Sequence, residues 1–216
     1  VIAAHLTRRP ADPRAVKRAL LPLRRVEPPA GLVVVGASTG GPQALSRLVS
    51  ELPADLPVPV ALVLHIPPGY TEAFARRLDE HSALHVVEAS DGLELTAGLV
   101  VVARAGIHLK LEDAAGQLVA RLHTGPLDKP HHPSVDVLFE SAAQVRGRAV
   151  LGVVLTGMGN DGAEGARAIH AAGGTVITEH ESTCVVYGMP RSVHEAGLSS
   201  AQIPIGEMAA EVVKRV

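Results

Sequence analysis

Apolar residues in this chain come in short unbroken runs, each stopped by glycine, proline or a polar turn and followed by a segment of helical period. The runs at 31–35, 57–66 and 149–155 are rich in valine, isoleucine and leucine, as strands buried on both faces of a sheet are. Helical patterns follow at 42–52, at 72–81 behind a Thr71 cap, at 135–145 behind a Ser134 cap, and from about 163 to 172. Shorter strands are predicted at 85–89, 99–103, 175–178 and 184–187, with further helices at 192–196 and 206–215. Residues 108–112 and 118–123 alternate in polarity around a small turn, which predicts an antiparallel hairpin. Strand and helix in alternation predict an α/β fold: a doubly wound, mostly parallel sheet with helices on both faces and a β-hairpin insertion.

The first strand leads into LVVVGASTGGPQA, residues 32–44. Ser38 stands between Gly36 and Gly40 on the turn from strand to helix, the pattern of a nucleophile elbow. A simple helix cap and a phosphate cradle are the competing readings of the same turn. His65 and Asp161 hold equivalent places, each at or just past the end of another predicted central strand. In open α/β sheets that edge is where sites form, so a serine, a histidine and an aspartate there have the makings of a triad. Each has a structural alternative: His65 as a histidine closing a strand, Asp161 as a cap for the helix that follows it. The order Ser, His, Asp differs from that of α/β-hydrolases, and GASTGG lacks the spacing of a dinucleotide-binding turn.

Composition narrows the function classes. With 216 residues, 47% hydrophobic and 19% charged, the chain is long enough for one well-packed domain. Residues 1–30 hold Pro10, Pro13, Pro22, Pro28 and Pro29 among arginines, and read as a linker or tail with at most a short helix at 14–21; residues 31–216 are the domain. The first 28 residues carry seven Lys/Arg and two Asp/Glu, so of the totals of 20 and 22 the remainder holds 13 basic and 20 acidic side chains. An acidic body with 2% aromatic residues is a poor nucleic-acid surface. A single cysteine, Cys184, in an apolar run points to packing and a reducing compartment. No apolar stretch approaches the length of a membrane span, and a cytoplasmic location is expected. The His131-His132 pair lacks partners at metal-ligand spacing, and Glu179 and Glu181 read as a solvated loop.

Five collinear segments then carry a resemblance: GASTGGPQAL from Gly36, HIPPGYTEAFARRL from His65, HHPSVDVLF from His131, LTGMGNDGAEGA from Leu155, and CVVYGMPRS from Cys184. From about residue 31 onward the chain resembles the catalytic domain of chemotaxis receptor methylesterases of the CheB type. The resemblance implies hydrolysis of glutamyl methyl esters on methyl-accepting chemoreceptor cytoplasmic helices, with release of methanol, and in many members deamidation of receptor glutamines. It implies Ser38 as nucleophile, His65 as base and Asp161 as its orienting partner, with no metal or organic cofactor. The Gly-rich turn at 157–159 can present oxyanion donors; the resemblance favours the Met158 amide, and Thr39, directly after the nucleophile, is the generic second donor. It also implies an N-terminal receiver domain, phosphorylated by a chemotaxis histidine kinase, with residues 1–30 as the linker of an excised catalytic half; a free-standing domain is the alternative. Three departures fall on the substrate face: Leu64 for a common Gln, Ala103-Arg104-Ala105-Gly106 for A-P-G-D, and Pro130-His131-His132-Pro133 for R-H-R-P. The other function classes are a receptor-docking module without turnover and an anion- or nucleotide-binding domain.

Overall fold

The computed structural model describes residues 29–125 and 128–216. The expected linker therefore lies, but for residues 29–30, outside the described residues, as does its short helix. Seven strands pair in parallel: β1 (Leu32–Ala37), β2 (Val60–Leu64), β3 (His85–Glu88), β4 (Leu99–Val102), β7 (Val150–Val154), β8 (Thr175–Glu179) and β9 (Ala201–Ile203). Their order across the sheet is β3-β4-β2-β1-β7-β8-β9. A separate antiparallel pair, β5 (His108–Ala114) and β6 (Gln117–His123), forms the hairpin that the alternation predicted.

The apolar runs explain this arrangement. Successive side chains of β1 point to opposite faces, and both sets are buried. Val33, Val35 and Ala37 pack with α1 (Gly41–Glu51), α2 (Thr71–Glu80) and α6 (Ile205–Arg215), through residues such as Leu45, Leu78 and Val212. Leu32 and Val34 join the other layer, built from α3 (Val135–Arg146), α4 (Ala163–Ala171), α5 (Met189–Glu195) and the hairpin, through Phe139, Ile169, Val193 and Leu109. Each layer would expose an apolar face without the sheet, so the two windings stabilise one another. Because β1 has β2 on one side and β7 on the other, the chain reverses its direction of travel across the sheet at β1. That is the switch point at which α/β sheets open a crevice beyond their strand ends.

Two local expectations are corrected. Residues 184–187 form no sheet strand; after β8 the chain makes a short 3-10 turn (Glu181–Thr183) and crosses the strand ends, joined to the β7 side by a single bridge, Gly157 to Tyr187. The edge strand is β9 instead, whose residues are only half-buried and so carry a weak pattern. Thr71 lies inside the first turn of α2, and its hydroxyl donates to Glu88 rather than capping the helix.

Candidate functional site

The backbone ladder delivers Ser38 and His65 side by side. Ala37 pairs with Leu64 across β1 and β2, and the His65 amide donates to the Ala37 carbonyl at 3.1 Å. The next residue on each strand is therefore Ser38 on one and His65 on the other, with strand axes about 5 Å apart. On the opposite side the Ser38 amide donates to the Thr156 carbonyl at 3.0 Å, prolonging the β1–β7 pairing. Of the two glycines that flank Ser38, Gly36 lies in the strand, while Gly40 has φ of 82°, the left-handed conformation that glycine takes without strain. Pro42 then occupies the first turn of α1, as expected of a proline that needs no partner there.

Asp161 lies in the loop after β7 and is almost fully buried. Its Oδ2 accepts from His65 Nε2 at 2.9 Å and from the Val135 amide at 2.7 Å. Its Oδ1 accepts from the Ser134 hydroxyl at 2.9 Å and from the Asp136 amide at 3.0 Å. Asp161 thus caps the start of α3, not α4, the helix that follows it; the N-cap of α4 is Gly162, with no side-chain cap. Burial pushes the Asp161 carboxyl up, but the bonds from His65 and from the Asp136 and Val135 amides together outweigh it and hold the group at about 2. At neutral pH Asp161 is an anion aimed at an imidazole.

That pairing defines the histidine. Nε2–H is donated to Asp161, and Nδ1 is buried with no hydrogen-bond partner among the described residues. The Ser38 hydroxyl is the neighbouring group on the adjacent strand, but its bond to His65 is not closed. His131 covers the other side: its ring stacks on that of His65 with centroids 4.1 Å apart and planes 20° from parallel. Burial, and then the proximity of His65, hold His131 below the usual histidine range, so it is a neutral wall. His132 packs in turn on His108, at 4.4 Å between centroids, and His108 Nδ1 accepts the Ser134 amide at 3.2 Å.

The structure therefore joins His65 to Asp161, seats Ser38 beside them, and adds His131, which sequence reading set aside as a weak metal candidate. Its place just ahead of the Ser134 cap was the available signal, since that cap meets Asp161. Among the described residues no cluster of three or more His, Cys, Asp or Glu is arranged to hold a metal ion. Thr39 and Met158 flank the same crevice from the turn and the β7 loop, Met158 exposed, and neither amide donates a hydrogen bond to another group among the described residues. Glu179 corrects the reading of a solvated loop: it ends β8 with 1% exposure, its carboxylate accepting from the Thr156 amide and the Thr183 hydroxyl, and burial pushes its carboxyl up. Cys184 is half-buried rather than packed in a strand, and burial, followed by the charges of Glu179 and Glu181, pushes its thiol up to about 12. No helix among the described residues is long and apolar enough to cross a membrane.

Comparison with known proteins matches these features to one family. The chain is 64% identical over 185 residues to protein-glutamate methylesterase/protein-glutamine glutaminase 5 of Myxococcus xanthus, covering 86% of this chain and 53% of that protein. It is 46% identical over 191 residues to protein-glutamate methylesterase/protein-glutamine glutaminase of Desulfitobacterium hafniense, covering 87% of this chain and 48% of the other. The chain spans about half the length of these curated relatives. Its fold superposes on the crystal structure of the Thermotoga maritima CheB methylesterase catalytic domain with a TM-score of 0.85 at 39% identity, covering 87% of this chain and 99% of that one. The family model described as CheB methylesterase matches residues 33–212, and the chain belongs to that family.

Proposed function

We propose that this chain is a serine hydrolase that demethylates glutamyl methyl esters on the cytoplasmic helices of methyl-accepting chemoreceptors, in chemosensory adaptation. The observation that carries this reading is the buried His65–Asp161 pair, with Ser38 and His65 next to one another at the strand ends by the switch point of the sheet and His65 Nδ1 without a hydrogen-bond partner among the described residues. The relatives' names add the substrate class and a second reaction on glutamine.

In this mechanism His65 Nδ1 takes the proton of the Ser38 hydroxyl as Oγ bonds to the ester carbonyl carbon. Asp161 stabilises the imidazolium through Nε2 and fixes the tautomer, the role a buried aspartate plays in other triads. The arrangement is turned relative to the serine-protease template, where Nδ1 faces the aspartate and Nε2 the serine. The carbonyl oxygen gathers charge, which the Thr39 and Met158 amides stabilise as donors not otherwise engaged. The C–O bond to the methoxy group breaks, methanol leaves with the proton from His65, and water then hydrolyses the acyl-enzyme with His65 again as base. With a glutamine substrate ammonia leaves instead. No metal or organic cofactor enters the sequence of steps. The same reading assigns residues 31–216 to the catalytic domain and residues 1–30 to a linker, with a phosphorylated receiver domain and its histidine kinase as regulatory partners and the cytoplasm as location.

Methanol release from a methylated chemoreceptor fragment tests it. Ser38→Ala is expected to lose on the order of 10⁴-fold in kcat. Release from Ser38→Ala at the wild-type rate would overturn the assignment.

A further inference from the structure

Thr156 follows β7 by two residues, is 1% exposed, and turns every polar atom to a partner around the site. Its amide donates to Glu179 Oε2 at 2.8 Å, and its carbonyl accepts the Ser38 amide at 3.0 Å. Its hydroxyl donates to the Thr39 carbonyl at 2.9 Å and accepts from the Val186 amide at 3.0 Å. The last registered pair of the β7–β8 ladder is Val154 with Thr178, so the Thr156 amide lies beyond the reach of strand pairing. The Glu179 side chain supplies the acceptor the strand does not. Its other oxygen is occupied by the Thr183 hydroxyl at 3.0 Å, which in turn accepts the Ile205 amide at 3.1 Å and ties the carboxylate to the start of α6.

This places one buried residue between the two chain segments that line the crevice. On one side is the turn with Ser38 and Thr39; on the other is the loop that continues into Gly157 and Met158. We propose that Thr156, braced from behind by Glu179, is a positioning residue for the hydrolysis: it fixes the nucleophile turn against the β7 loop, so that Ser38 and the two oxyanion amides converge on one carbonyl. The inference rests on the serine-hydrolase reading above. Its physical basis is that an oxyanion hole acts only when both donors lie about 3 Å from the same developing charge, and displacements of about 1 Å are felt in the rate.

The test compares Thr156→Val, which removes the hydroxyl and keeps the shape, with Thr156→Ser, which restores it. Two readouts are taken: kcat and KM for methanol release, and the rate at which a fluorophosphonate probe labels Ser38, which needs the oxyanion donors but no receptor. Thermal unfolding establishes that each variant is folded. Thr156→Val is expected to lower kcat and the labelling rate by about 30- to 100-fold with KM within about twofold, at or just below the ~10²- to 10³-fold cost of an oxyanion donor removed outright. Thr156→Ser is expected to recover most of that loss. If Thr156→Val does not fold, Glu179→Leu against Glu179→Gln carries the same comparison, with the glutamine keeping an acceptor for the Thr156 amide. A folded Thr156→Val with wild-type labelling and kcat, or a loss that serine does not restore, overturns the inference. Wild-type labelling without methanol release overturns the proposed substrate and leaves Thr156 tested by labelling; a wild type that neither labels nor releases methanol overturns both.

Discussion

Asp161 and Asp136 hold each other's helices. Asp161 accepts the Val135 and Asp136 amides at the start of α3, while Asp136 Oδ1 accepts the Gly162 and Gly165 amides at the start of α4, at 2.8 and 2.9 Å. Lys129 closes the outer side, with Nζ 3.4 Å from Asp136 Oδ2 and 3.8 Å from Glu140. The carboxylate facing His65 is therefore fixed by the helix it caps, and that helix carries the brace for its loop. Removing Asp136 acts at a distance. Asp136→Ala is expected to lose about 1–2 kcal/mol of stability, as a lost helix cap does, and to lower kcat with it. Asp136→Asn, which keeps an acceptor for the glycine amides, is expected to retain most of both. Thermal unfolding together with methanol release checks this.

Acid should unfold the domain partly through Asp161. Its pKa is depressed in the folded state, so its stabilisation is complete above its ordinary value of 3.8 and is lost as pH falls toward about 2. A depression of that size corresponds to roughly 2 kcal/mol. Wild-type stability is expected to decline between about pH 4 and pH 2, and Asp161→Asn to start lower and decline less over the same window. Denaturant unfolding across that range measures it. At neutral pH the same variant, which no longer holds the His65 tautomer, is expected to lose on the order of 10⁴-fold in kcat.

His131 is expected to work as a wall rather than as an acid or base. Its ring is held neutral and lies nearly parallel to that of His65. His131→Ala is expected to lower kcat by about three- to tenfold, the scale of an aromatic pair worth ~1 kcal/mol. His131→Phe, which keeps the stack and cannot titrate, is expected to restore most of the rate and leave the pH profile unmoved. A phenylalanine variant as slow as the alanine one would show that the imidazole has a chemical part.

Gly157 touches the predicted nucleophile. A methyl group there would lie 2.8 Å from Ser38 Cβ and against Met189. Gly157→Ala is expected to displace the Ser38 turn and to reduce kcat at least tenfold while the protein still folds, since a shift of order 1 Å is enough. Fluorophosphonate labelling alongside circular dichroism separates a displaced nucleophile from a lost fold.

Much of this was legible in the chain because the signals are local. Ser38, His65 and Asp161 each end or follow an unbroken apolar run, and runs of that kind are buried parallel strands whose ends share one edge. The hairpin and the Ser134 cap were legible for the same reason. What the pattern missed depends on contacts between distant segments. Asp161 was given the helix next in sequence, when its partner is α3, which precedes it in the chain. Glu179 looks like a loop carboxylate until the Thr156 amide is seen to need an acceptor. CVVY has the residues of a strand, yet Val185 is 68% exposed, because the segment crosses the strand ends instead of joining the sheet.

The switch point at β1 also has a kinetic side. His65 and Asp161 meet across 96 residues of chain, each beyond the end of a strand, β2 or β7, that pairs with β1. Pairings of such high sequence separation close late and slowly, because the loop entropy precedes the contacts that offset it. The crevice is then expected among the last parts of the domain to form during refolding, and no fragment that stops short of β7 contains it. Turnover is expected to be a stricter reporter of the native state than helix content, which local contacts restore sooner.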